Sequence, residues 1–174
     1  DLVDSNGSFL WLHHPQHEEK IDIGALPIPN ELGIDDIDIT TAIHEIDPHE
    51  NWLTEVGEQL FVVGFPFGLS DTCNLPIWKA ATLASEPEID QEGLPLLYID
   101  TATRKGMSGS PVIKYRRRSV SLITEESLCR FHAEFIGVYS GRIVPKDMFE
   151  AQIGKVWRAK CIDEIIKGGH FYSE

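Results

Sequence analysis

"RKGMSGSPVI", residues Arg104–Ile113, decides how the rest of the chain is read. Gly106 and Gly109 bracket Met107 and Ser108. Glycine accepts positive φ at little steric cost, so the pair makes a tight, permissive turn. Pro111 then fixes φ, and Val112 and Ile113 return the chain to extended structure. A hydroxyl is held on a sharp bend at the mouth of a strand. Such a bend either presents a nucleophile or forms an ordinary hairpin corner, and these ten residues alone leave both open.

On both sides of that bend the chain reads as short apolar runs separated by turn residues. "SFLWLHH" (Ser8–His14) and "IDIGALPI" (Ile21–Ile28) have strand length. Pro29–Glu58 is acidic and irregular and reads as a connector. "QLFVVGFPFGL" (Gln59–Leu69) reads as a buried strand ending in a Gly/Pro loop. Strands are expected again at Pro76–Pro87, Pro95–Thr103, Ser110–Tyr115 and Ala133–Val144. In "KVWRAKCIDEIIKGG" (Lys155–Gly169), Trp157, Cys161 and Ile165 fall at i, i+4, as do Ile162 and Ile166. That spacing predicts a helix over Lys155–Lys167, packed through Trp157, Ile162 and Ile166, with Gly168-Gly169 as its stop. The pattern implies an antiparallel barrel over Gln59–Val144, sealed by that helix. Val63, Val112, Ile113, Ile136 and Val138 are expected inside it.

The bulk composition narrows the function classes. The 174 residues are 42% hydrophobic, enough for a packed core and too apolar for wholesale disorder. A net charge of −13 argues against binding a phosphate backbone, which needs clustered Lys and Arg. The basic run "KYRRR" (Lys114–Arg118) reads as a solvated hairpin tip, and no nucleic-acid partner is expected. Cys73, Cys129 and Cys161 show no CxxC and no metal-ligand spacing, so neither metal nor cofactor is expected. Three reduced thiols are simpler than one disulfide plus a free thiol, which leans towards a reducing, cytoplasmic location. No apolar run reaches the roughly 18–20 residues of a membrane span, so no membrane partner is expected.

A serine nucleophile needs a base to take its proton, and the base must be oriented by a third group. The charge that develops on the attacked carbonyl needs backbone N–H donors. With Gly106 free to take an unusual backbone angle, the N–H groups of Gly106 and Ser108 can converge on one point as an oxyanion hole.

"DTATRKGMSGSPV" (Asp100–Val112) resembles the active-site segment of chymotrypsin-fold serine peptidases. The likeness is to the bacterial branch that holds the glutamyl endopeptidases and the high-temperature-requirement proteases. "VGFPFGL" (Val63–Leu69) resembles that branch's Gly-x-Pro-x-Gly-Leu strand and loop, and "IGVYSG" (Ile136–Gly141) its substrate-pairing strand. "HPQHEEKIDIGALPI" (His14–Ile28) resembles the strand that carries the triad aspartate. Asp22 matches that aspartate; 108 − 22 = 86 residues separate it from Ser108, against roughly 90 between the triad aspartate and serine of chymotrypsin. The resemblance covers most of Ser8–Ile166.

The resemblance implies an all-β fold: a chymotrypsin-like double antiparallel β-barrel with a C-terminal α-helix. Residues 1–30 would hold the last strands of an N-terminal barrel only partly present in this chain, and 31–58 the inter-barrel connector. Residues 59–150 would form the C-terminal barrel, and 151–174 the helix and tail. It also implies a serine endopeptidase acting on a protein or peptide substrate. Ser108 would be the nucleophile, Asp22 the triad acid, Gly106 and Ser108 the oxyanion donors, and Ser140 the support of Asp22. Ala102, Thr103, Tyr139, Ser140, Gly141 and Arg142 would bind substrate. A neutral Ala102 at the expected pocket floor argues against Lys or Arg before the cut.

Two departures stand out. Met107 occupies the position where relatives carry aspartate or asparagine, so the loop must be held by other means. The triad histidine should lie about 45 residues before Asp22, ahead of Asp1. The seven histidines present (His13, His14, His17, His44, His49, His132 and His170) do not fit that place. The expectation is that an upstream segment of the same protein carries it. The competing reading is a catalytically inactive binding or scaffold protein on the same fold.

Overall fold

A computed structural model of the protein describes residues 10–27, 54–118, 130–143 and 152–171, with backbone alone for 116–118 and 130–132. Cys129, His44 and His49 lie outside the described residues. Six strands close into one antiparallel barrel. They are β2 (Gln59–Gly64), β3 (Ile77–Leu83), β4 (Leu96–Asp100), β5 (Pro111–Arg118), β6 (Arg130–Arg142) and β7 (Ile153–Arg158), in the order β2-β3-β4-β7-β6-β5. Helix α1 (Lys160–Gly168) follows, and its C-terminal end is capped by the Gly169 N–H donating to Ile165 O at 2.8 Å. The two-residue strands β1 (Leu12–His13) and β8 (His170–Phe171) pair with each other outside the barrel.

The barrel core follows the two-residue alternation of its strands. Leu60, Val62, Leu83, Ile99, Val112 and Val156 are fully enclosed, with Ile136, Met107 and Tyr139 among them. Val112 and Ile136 are therefore inside as expected. Val63, Ile113 and Val138 are only half-buried. On β2, Val62 takes the inward position, so its neighbour Val63 must turn to the other face.

The C-terminal region corrects the expectation most clearly. Lys155–Arg158 is not the start of a helix but the end of β7, which closes the barrel between β4 and β6. A spacing of four keeps residues on one side of a helix and of a strand alike, so Trp157 and Cys161 fit both periods. What distinguishes the strand is burial on two faces. Val156 points into the barrel, while Trp157 packs with Ile21, Leu96 and Cys161 in a second cluster on its outside. The helix is shorter than expected and buries Cys161 and Ile165; Ile166 is 66% exposed rather than packed.

"IDIGALPI" forms no strand among its described residues; its only pairing is a bridge between Ala25 and Leu12. Ile21 is nonetheless buried against Leu96 and Trp157, so residues 10–27 are docked on the barrel and α1. Buried His14 fastens the same segment. Its Nε2 lies 2.7 Å from Glu164 Oε2, and its Nδ1 accepts the Gln16 and His17 N–H groups. The start of "KYRRR" is also not a solvated tip. Lys114 is 2% exposed, with Nζ 3.4 Å from Glu134 Oε2 and 3.2 Å from Thr54 Oγ1, and β5 runs on through Arg118.

β6 carries two irregularities. Val112 pairs with Gly137 and Ile113 with Phe135, which leaves Ile136 as an extra residue on β6. Tyr139 pairs with Val156 and Gly141 with Lys155, which leaves Ser140 as another. At the first bulge a Cβ on Gly137 would stand 1.9 Å from the Trp157 carbonyl oxygen. Backbone cannot swing aside as a side chain can. Gly137→Ala is therefore expected to force β6 from β7 and cost about 3 kcal/mol of stability. The check is a lowered urea midpoint at unchanged slope.

Candidate active site

Ser108 sits in the loop between β4 and β5, exposed, just as the sequence places it. Gly106 and Gly109 take φ of +93° and +84°, the left-handed region that the Gly-x-x-Gly spacing anticipates. The loop is held by main-chain bonds on several sides. Met107 N–H donates to Arg104 O and Ser110 N–H to Met107 O; Gly109 N–H donates to Tyr139 O and Tyr139 N–H to Ser110 O. The Met107 side chain, 1% exposed, is anchored in the barrel core. An apolar plug thus fastens the loop where the resemblance led one to expect a polar side chain. No sequence signal marks that role, because methionine fits any core gap.

The Ser108 hydroxyl donates to the Ser140 carbonyl at 2.6 Å. The Ser140 hydroxyl in turn donates to Asp22 Oδ2 at 3.0 Å. Ser140 therefore joins the expected nucleophile and the expected acid, which lie 86 residues apart in the chain (108 − 22). It is also the bulged residue of β6. Bulges re-aim a side chain relative to the regular ladder, and here one residue reaches Ser108 with its backbone and Asp22 with its hydroxyl. The role of Ser140 was expected from the resemblance; the bulge that produces it was not legible.

Asp22, Ser108, Ser140 and Tyr139 share a cavity of about 490 Å³ with Ile162 and Ile165 of α1. Gly141 borders Ser108 closely: a Cβ there would lie 3.8 Å from the Ser108 Oγ. Among the histidines whose side chains are described (His13, His14, His17 and His170) none lines this cavity. Among the described residues, no backbone carbonyl accepts the N–H of Gly106 or of Ser108. Both N–H groups expected to form the oxyanion hole thus have no main-chain acceptor among the described residues.

The expected substrate pocket divides into buried and open parts. Thr103 and Tyr139 are 2% exposed each, and their hydroxyls are hydrogen-bonded to one another. Burial raises the Tyr139 pKa above the usual phenol value, against the opposing pull of the Thr103 hydroxyl and the Arg142 charge. The phenol therefore stays neutral. Ala102 is half-buried, and Arg142 is exposed at the end of β6. A Cβ on Gly154 would strike the Tyr139 ring at 2.7 Å, so the bare backbone of β7 is what lets the ring lie flat. No family model matches this sequence, and no curated protein is found similar to it.

Proposed function

We propose that the chain belongs to a chymotrypsin-fold, trypsin-like serine endopeptidase that cleaves peptide bonds through an acyl-enzyme on Ser108. In this reading the Ser108 oxygen attacks the scissile carbonyl carbon, and its proton passes to a histidine carried upstream of Asp1. The N–H groups of Gly106 and Ser108 stabilise the resulting oxyanion. The C–N bond breaks, the same proton leaves on the amine, and water then releases the acyl group. Asp22 holds the imidazole in the productive tautomer, and Ser140 holds Asp22.

The observation that carries this reading is the hydrogen-bonded chain from Ser108 through Ser140 to Asp22, all three lining one cavity. The second reading is an inactive binding or scaffold protein on the same fold. It is favoured by the Ser108 hydroxyl, which donates to a carbonyl rather than to a base. Fluorophosphonate labelling of the full-length protein, with the adduct located by peptide mass, separates the two. Modification at Ser108 supports the peptidase; an unlabelled, folded protein leaves the scaffold.

The pocket predicts specificity. Ala102, Thr103 and the neutral Tyr139 offer no anion, and burying an unpaired ammonium or guanidinium is costly. Small or apolar residues before the cut are expected first, with acidic residues second through the exposed Arg142. Preferred cleavage after Lys or Arg in a peptide library would overturn this.

A further inference from the structure

The turn Pro66–Leu69 breaks a local rule. Leu69 N–H closes it onto Pro66 O at 2.9 Å, with two successive left-handed residues inside, Phe67 (φ +56°, ψ +21°) and Gly68 (φ +72°). Turns of this kind favour Asn or Gly at both inner positions. Phenylalanine is a poor choice for the first, and its ring, 65% exposed, gains little by burial. A strained residue that packing does not explain is a pointer to function.

What the turn does is aim the Phe67 N–H. That group donates to the Lys105 carbonyl at 2.8 Å. The Lys105 carbonyl and the Gly106 N–H belong to one peptide plane, and the chain has no cis peptide among the described residues. In a trans peptide the two groups point in opposite directions. Fixing the carbonyl on Phe67 therefore fixes the Gly106 N–H, directed away from the turn. The turn also closes over Gly106: a Cβ there would stand 2.9 Å from Phe65 O and 3.3 Å from Phe67 N.

We infer that Phe67 is a positioning residue for the oxyanion hole, acting through its main-chain N–H on the Lys105–Gly106 peptide. The inference rests on the peptidase reading of Ser108. Function should follow left-handed propensity at position 67 and not the aromatic ring. F67N and F67G keep the left-handed conformation available; F67V opposes it through branching at Cβ.

The test measures kcat, KM and the fluorophosphonate labelling rate of Ser108 in the full-length protein. F67V is expected to lower kcat and the labelling rate by about 100-fold with KM little changed, as for loss of an oxyanion donor. F67N and F67G are expected to stay within about threefold of wild type, because both keep the left-handed conformation available. Unchanged labelling in F67V, or an equal fall in all three variants, overturns the inference and leaves the peptidase reading standing. A folded wild type that is not labelled overturns both. Should F67V not fold, through-hydrogen-bond NMR coupling between the Phe67 nitrogen and the Lys105 carbonyl carbon decides instead; its presence in wild type supports the inference and its absence overturns it.

Discussion

Ser108→Ala is expected to abolish acylation and to lower peptide turnover by about 10⁶-fold, as removal of the serine does in another triad enzyme. The fold should hardly notice. Ser108 is exposed, and its hydroxyl has one described partner, the Ser140 carbonyl at 2.6 Å. Water can replace that donor, so stability should change by no more than about 0.5 kcal/mol. Few substitutions would separate activity from stability so widely. Ser110→Ala is the matched control. Ser110 is 7% exposed and lies over Gly64, where a Cβ would meet its Oγ at 2.1 Å. It fills space rather than facing the cavity, and its removal should leave labelling at Ser108 intact. Equal labelling of wild type and Ser108→Ala would sink the nucleophile assignment.

How much of this could be read beforehand depends on the range of the interaction that fixes each part. The bend at Ser108 was legible because its cause is local: Gly106 and Gly109 need positive φ, and both have it. The barrel strands were legible for a related reason, since β-rich runs between turn residues declare themselves over five to eight positions. β7 was not, because Trp157 and Cys161 satisfy a helical spacing as well as an extended one, and only burial on both faces tells them apart. Ile21–Ile28 failed for the converse reason. Among its described residues, Ile21 and Ile23 pack on Leu96, Trp157 and Cys161 without forming a strand, so composition suggested a strand where there is a docked segment. Lys114 illustrates a third limit. Its neighbours in sequence are basic, but its burial is set by Glu134 and Thr54, which are remote in the chain. Ser108, Asp22 and Ser140 were singled out by the resemblance, and hydrogen bonds link the three. The β6 bulge that joins them was not, because a bulge depends on the register between two strands.

The second large effect concerns the base. If the peptidase reading holds and an upstream segment carries the histidine, residues 1–174 expressed alone are expected to hydrolyse peptide about 10⁶-fold more slowly than a protein that includes that segment, the cost of removing the histidine from a related triad. The reason lies in the cavity. Its walls supply the hydroxyl-bearing Ser108, Ser140 and Tyr139, the Asp22 carboxylate and apolar side chains from α1, but no imidazole from His13, His14, His17 or His170. His14, the most buried of these, is already committed: both ring nitrogens are engaged, one with Glu164 and the other with main-chain N–H groups. A base must come within about 2.6–3.2 Å of the serine oxygen to take its proton. An imidazole entering this cavity would find both Asp22 and Ser108 in its lining, with Ser140 already hydrogen-bonded to the carboxylate. Single-turnover hydrolysis is the measurement, because it isolates acylation from product release. Turnover by residues 1–174 within about tenfold of the full-length protein would mean that His44, His49 or His132 supplies the base and that the upstream assignment is wrong. If a protein that includes the upstream segment is as inert as residues 1–174, the Ser108–Ser140–Asp22 chain is a structural tie, and the molecule is a binding scaffold on an antiparallel β-barrel.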